Sequence, residues 1–333
     1  MSKFNILITG SSGMVGQSLQ QYIAQYNLRH KNTIDSSPNY YFLTREDCDL
    51  TDKAKLREIF KKLNINFVIH LAAKVGGLYM NMKYNVEMFM ENMKINMNVI
   101  ELCHEFNVNR GVFCLSSCIF PPQPKSFPMK EEYICDSPPH PSNEGYAYSK
   151  RMLYIMCKHY NQQYGRDYIC VSPVNLYGAY DNFDINNSHV IPGIIHKMYL
   201  TKYQEGEYKK DTYEVLGTGK AQHQFLFAMD FASIIFKILW NKDIDKKNML
   251  INICSDKEYT IKQVVQLIAF NLDYDIHNIV YNNKYSDGCI KKTVCNKLFR
   301  KFFPDHKFIP LEDGLDATIS WFEKNYNKPR FRK

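Results

Sequence analysis

No stretch of this chain approaches the roughly 18 consecutive apolar residues of a membrane-spanning helix, so no membrane partner is expected. The first apolar run, residues 4–9, is too short for the core of a secretory signal and leads directly into a glycine motif. The ten cysteines are scattered without a Cys-x-x-Cys pair. That reads against a zinc site or a disulfide framework, and for reduced thiols in the cytoplasm. Cys114 and Cys118 stand four apart without neighbouring ligands, and no metal is expected there. The net charge of +8 is a mild excess over 333 residues. No dense Lys/Arg run interleaves with aromatics, so nucleic acid is not an expected partner. A mild positive excess does suit a small anionic substrate such as a nucleotide diphosphate. The basic ending, 328–333, reads as a solvated tail. There is neither an internal repeat nor a low-complexity linker.

What is present is an alternation of short apolar runs with longer amphipathic stretches. Strands are predicted over 4–9, 40–43, 67–71, 111–115 and 168–172, and helices over 14–26, 53–63, 86–106 and 146–164. This rhythm predicts an α/β fold with a doubly wound parallel sheet of Rossmann type. Beyond about residue 175 the rhythm weakens. Helices are expected over 189–200, 231–240 and 261–270, and short strands over 213–216 and 224–227. Pro192 suits a first helical turn. The proline-rich 120–141 segment reads as a loop shaping a cleft. The expected organisation is therefore a cofactor-binding domain, 1–174, and a smaller α/β substrate-binding region, 175–333, whose chain crosses back to the first. Met88, Met90, Met93 and Met97, at partly helical spacing, read as core or subunit-interface packing.

The run Thr9-Gly10-Ser11-Ser12-Gly13-Met14-Val15-Gly16 follows the first strand and opens the first helix. Gly10 permits the tight turn, Gly13 lets the backbone approach a diphosphate, and Gly16 allows close helix packing. The helix N-terminus then favours the phosphate charge. The second predicted strand ends Leu43-Thr44-Arg45, with no acid to bind the ribose 2′-hydroxyl of NAD. Arg45, with Ser11 or Ser12, would instead hold a 2′-phosphate, which favours NADP(H); a plain surface arginine is the competing reading. Asp49 and Leu50 border the adenine. Leu71, Ala72 and Ala73 are residues that let a cofactor pass close.

Ser116 is followed by Tyr146 and Lys150, which are four apart and share a helix face. A lysine ammonium beside a phenol lowers the phenol's pKa and suits it to proton transfer near neutral pH. A serine hydroxyl can bond the same carbonyl oxygen. These three groups suit hydride transfer at a sugar carbonyl. Cys118 adds a group able to move a carbon-bound proton, although a thiol by itself is more often structural.

The glycine trio, His70-Leu-Ala-Ala, Ser116 and Tyr-x-x-x-Lys resemble the extended short-chain dehydrogenase/reductase family. Ala-Ala-Lys-Val-Gly-Gly (72–77), Ser-Ser-Cys-Ile-Phe-Pro (116–121), Asn-Leu-Tyr-Gly (175–178) and the run 181–192 resemble, within it, the GDP-L-fucose synthases. The likeness extends through 284–288 to Trp321. It implies a homodimeric enzyme that epimerises a GDP-4-keto-6-deoxy sugar at the two carbons flanking the ketone and then reduces the ketone with NADPH. On this resemblance Tyr146 protonates the carbonyl oxygen, Lys150 holds the nicotinamide ribose, and Ser116 polarises the carbonyl. Cys118 and His189 exchange the carbon-bound protons. Pro173, Val174, Asn175, Leu176 and His189 border the cofactor. Lys197, Leu216, His223, Lys284 and Asp287 stand at substrate-binding positions. Two of these depart from the family: His223 replaces an arginine that reaches the diphosphate, and Leu216 replaces a tryptophan. Arginine at 223 is expected to tighten GDP-sugar binding above pH 7. A related 4-epimerase or 4,6-dehydratase, or a non-catalytic scaffold, are the other readings. A dehydratase would carry an acidic pair where this chain has Ser117-Cys118.

Overall fold

The computed structural model describes residues 3–30, 38–206, 210–244 and 246–326, and the basic ending 328–333 lies outside them. Six short parallel strands form the central sheet: β1 (Asn5–Thr9), β2 (Asn39–Leu43), β3 (Phe67–His70), β4 (Arg110–Cys114), β5 (Tyr168–Pro173) and β10 (Leu250–Ile253). Their spatial order is 2-1-3-4-5-10. The inner strands are apolar on both faces, as a sheet covered on both sides requires: Ile6, Leu7, Ile8, Val68, Ile69, Val112, Phe113, Ile169 and Val171 are all buried.

On one face lie α2 (Lys53–Leu63), α4 (Asn85–Glu105) and α5 (Glu144–Tyr164); on the other, α1 (Met14–Arg29) packs against α7 (Ala228–Trp240). Local chemistry sets several ends. The Asp52 carboxylate accepts from Lys55 N at 3.0 Å and starts α2. Gly165, at φ 68°, closes α5 in the left-handed conformation.

The sequence reading placed one helix over 86–106; a separate short helix, α3 (Leu78–Lys83), precedes it. The strand expected over 224–227 is β9 (Phe225–Phe227), and a further short strand, β8 (Gln222–His223), precedes it. Gln224 lies between them, and its buried carboxamide accepts from Val294 N at 2.8 Å and donates to Ser255 O and Val294 O. Strand β9 pairs with β6 (Asn175–Tyr177), while β8 pairs with β11 (Tyr259–Thr260) and β13 (Lys291–Lys292). A second apolar cluster forms where α6 (Val190–Lys202), α8 (Ile261–Asn271) and the last helix, α9 (Leu311–Asn325), meet the paired strands β7 (Tyr213–Leu216) and β12 (Ile279–Asn282). Among the described residues, no helix is long and apolar enough to cross a membrane.

The chain leaves β1 for β2 on one side and then crosses to β3 on the other. The carboxyl ends of β1 and β3 therefore form the switch point at which such sheets bind ligands. A cavity of about 950 Å³ opens there.

Candidate active site

The glycine turn forms one end of this cavity. Gly10 has φ 69°, and a Cβ on it would lie 2.7 Å from Ala72 N. A Cβ on Gly16 would lie 2.5 Å from Gly10 O. Both glycines close α1 onto the turn and the turn onto the exit of β3. Gly13 differs: its Cβ would meet only Gly10 O, at 3.4 Å. It faces the cavity at the start of α1, where no side chain caps the helix, and Met14 and Val15 line the same wall. An uncapped helix N-terminus above a cradle that side chains do not fill fits a diphosphate. Ser12 lines the cavity. Ser11 does not: the close approach of α1 encloses its hydroxyl, which has no partner, while Gln20 bonds its carbonyl at 2.9 Å. Of the two serines expected beside Arg45 at a 2′-phosphate, Ser12 lines the cavity and Ser11 does not.

Arg45, Asp49 and Leu50 line the next part of the cavity. The Arg45 guanidinium is open to solvent and 3.7 Å from the Asp49 carboxylate. Bonds from Thr51, then Arg45, hold that carboxyl below its usual range. Leu71, Ala72 and Ala73 form the facing wall. Pro173, Val174, Asn175 and Leu176 continue it from the end of β5. Asn175 donates to Gln224 O at 3.2 Å.

Ser116, Tyr146, Lys150 and His189 line the same cavity. Ser116 Oγ accepts from Cys118 N at 3.3 Å and starts a 3-10 turn. Lys150 is buried and donates to Cys114 O at 2.7 Å; its ammonium sits 5.9 Å from the centre of the Tyr146 ring. Burial pushes the Tyr146 pKa well up, and the Cys118 and Cys114 thiols add to the rise. The phenol therefore keeps its proton, which corrects the expected lowering. Burial likewise lowers Lys150.

Cys118 lies behind the cavity wall, 7% exposed, and burial raises its thiol pKa. His189 stands at the mouth of the cleft before α6. It is open to the cleft yet shielded on most sides; that shielding, and then the Lys292 ammonium, lower its pKa. At neutral pH the pair is a neutral thiol and a neutral imidazole, one proton donor and one acceptor.

The five residues expected on the substrate side do not line this cavity. Lys197 sits half-buried on α6, and Leu216 is exposed at the end of β7. Lys284 is exposed in the turn after β12. The Asp287 carboxylate accepts from Thr218 N at 2.6 Å and Gly219 N at 3.2 Å, tying down the Gly217-Thr218-Gly219 turn. His223 is largely enclosed, its Nδ1 without a partner, and burial with Lys292 lowers it to about 4. It is neutral at pH 7.

One residue missed at sequence level is Lys292. It lines the cavity, and its charge acts on Cys118, His189 and His223 alike. A two-residue strand carries no periodic signal, and only the basic pair Lys291-Lys292 marked it. The asparagines of α4 were also missed. Asn92 Oδ1 accepts from Lys74 N at 2.8 Å, and Asn96 donates to Ser149 O at 3.2 Å while facing His70 Nε2 at 3.2 Å.

Residues 6–254 match the NAD dependent epimerase/dehydratase family. A GDP-L-fucose synthase of Dictyostelium discoideum is 38% identical over 99% of this chain and 98% of its own. One from Escherichia coli is 32% identical, covering 100% of both chains. The crystal structure of a GDP-L-fucose synthetase from Naegleria fowleri bound to NADP superposes with TM-score 0.88 at 32% identity, covering 99% of this chain and 96% of that one.

Proposed function

We infer that this chain, which belongs to the NAD dependent epimerase/dehydratase family and within it to the GDP-L-fucose synthases, is an NADPH-dependent epimerase and reductase. It converts GDP-4-keto-6-deoxy-D-mannose to GDP-L-fucose. The observation that carries the reading is one cavity joining an uncapped helix start, at Gly13, to Ser116, Tyr146, Lys150 and His189.

The 4-keto group acidifies the hydrogens on both flanking sugar carbons. Removal of one leaves an enolate, and return of a proton on the opposite face inverts the centre. Cys118 and His189 begin as neutral donor and neutral acceptor, which suits this exchange. The Lys292 ammonium favours negative charge developing near it. NADPH supplies the hydride. Tyr146, held protonated, gives its proton to the carbonyl oxygen, Ser116 donates to the same oxygen, and the Lys150 ammonium orients the cofactor ribose.

Residues 1–174 together with β10 form the cofactor half, and the remainder holds the GDP-sugar. A homodimer is supported by an apolar outward stripe on α4, where Val86 (71% exposed), Met90 (49%) and Met97 (41%) follow at helical spacing. Met88, by contrast, is core. Ten free thiols suit the reducing cytoplasm. The test is direct: with NADPH and the keto sugar, absorbance of the reduced cofactor falls and GDP-L-fucose forms. Tyr146→Phe lowers turnover by about 10²–10⁴-fold while cofactor binding persists.

A further inference from the structure

Helix α5 carries Tyr146 and Lys150, yet it has no cap of its own. It starts at Glu144, and Asn143, the residue before it, makes no side-chain cap bond. The Asn143 Oδ1 is enclosed and has no partner. The cap comes from another helix instead. Asn85, the first residue of α4, accepts through its Oδ1 from Gly145 N at 2.6 Å. Gly145 is buried, and a Cβ there would collide with the carbonyl and carboxamide oxygens of Asn85. Glycine at 145 is thus required by the closeness of Asn85, and Tyr146 is the next residue.

Asn85 also ends the segment that walls the cavity. Ala72 through Gly77 line it, and α3 connects them to Asn85. One turn deeper, the Asn96 bond to Ser149 O holds the residue before Lys150. The Asn96 tie fixes the body of α5, while Asn85 registers its first turn, where the phenol sits.

We propose that Asn85 is a positioning residue for Tyr146, setting the phenol against the reacting carbonyl by capping the catalytic helix from α4. This rests on the proposed role of Tyr146 as proton donor. A misplacement of about 1 Å at a reacting group costs up to about a hundredfold in rate.

The test compares wild type with Asn85→Ala and Asn85→Asp. Asn85→Ala is expected to lower kcat about ten- to hundredfold while KM for NADPH stays within about twofold. Asn85→Asp, which keeps an acceptor oxygen, is expected to restore most of the rate. Hydrogen exchange of the peptide spanning 144–150 is expected to quicken in Asn85→Ala and recover in Asn85→Asp, independently of turnover. If Asn85→Ala is not recovered folded, Asn85→Gln, which shifts the same oxygen by one methylene, is expected to show the same split. Unchanged exchange over 144–150 overturns the proposal, as does an unchanged kcat in a turning-over enzyme or a parallel loss of kcat and NADPH binding. An exchange effect in a protein whose wild type does not turn over the keto sugar sinks the functional reading and leaves the capping role standing.

Discussion

Lys292 and His223 are register partners on adjacent parallel strands, and the lysine's ammonium adds to burial in holding the imidazole at about 4. The place where the family resemblance leads one to expect an arginine is therefore occupied here by a neutral ring, and Lys292 is the cation that acts on it. His223→Arg is expected to tighten GDP-sugar binding about tenfold, the scale of one charge-assisted hydrogen bond. Because the imidazole is already neutral well below pH 7, the gain should be complete at pH 6, earlier than the sequence alone suggested. Titration calorimetry at pH 6, 7 and 8 checks this; a gain confined to pH above 7 contradicts it.

Lys292→Met removes the charge shared by three groups. The pKa values of His189 and His223 are then expected to rise, since the ammonium holds both down, and that of Cys118 to rise further. Proton NMR titration of the imidazoles reads the first effect. Unmoved histidines would show that burial alone sets them.

The glycine turn separates folding from binding. Gly10→Ala and Gly16→Ala push a methyl into backbone atoms at 2.7 and 2.5 Å, and both should lower Tm. Gly13→Ala meets only ordinary contact at 3.4 Å. Its Tm should hold while NADPH affinity falls at least about tenfold, because the methyl occupies the diphosphate cradle. Thermal melts beside cofactor titration decide it: equal affinity in Gly13→Ala would remove the diphosphate from this helix start.

Asp181 lines the cavity wall, buried, with its Oδ2 unpartnered, and burial raises its carboxyl to about 7. Between pH 4 and 7 the folded chain holds a proton that the unfolded chain has released. Stability from this group is therefore lost as pH rises through that window, and the full cost stands above pH 7. Asp181→Asn should stabilise the protein at pH 8 by about 1–3 kcal/mol, and the gain should shrink toward pH 4. Urea unfolding at pH 8 and pH 5 measures it, and a pH-independent difference would argue against a neutral carboxyl.

The cofactor half was legible because its signals are local. The run 4–9, its glycines and the following helix sit within one stretch, and Tyr146 and Lys150 meet by helical spacing alone. What was not legible depends on contacts distant in sequence. Strand β10, four residues long, is placed by pairing with β5 across the intervening chain. Strand β8, two residues long, is placed by pairing with β11 and β13. Lys292 reaches the cavity because its short strand pairs with β8. The direction of the Tyr146 pKa was misjudged for a related reason: the four-residue spacing shows that Lys150 is near, but not that its ammonium bonds Cys114 O while burial dominates the phenol.

The central claim is that one cavity exchanges the protons beside a keto group and then reduces that group. Turnover of GDP-4-keto-6-deoxy-D-mannose with NADPH in D2O, read by NMR of the sugar product, tests it most directly. The account predicts GDP-L-fucose carrying deuterium at C3 and C5 and protium at C4. A product reduced at C4 but without deuterium at C3 and C5, or unconsumed NADPH, would contradict it.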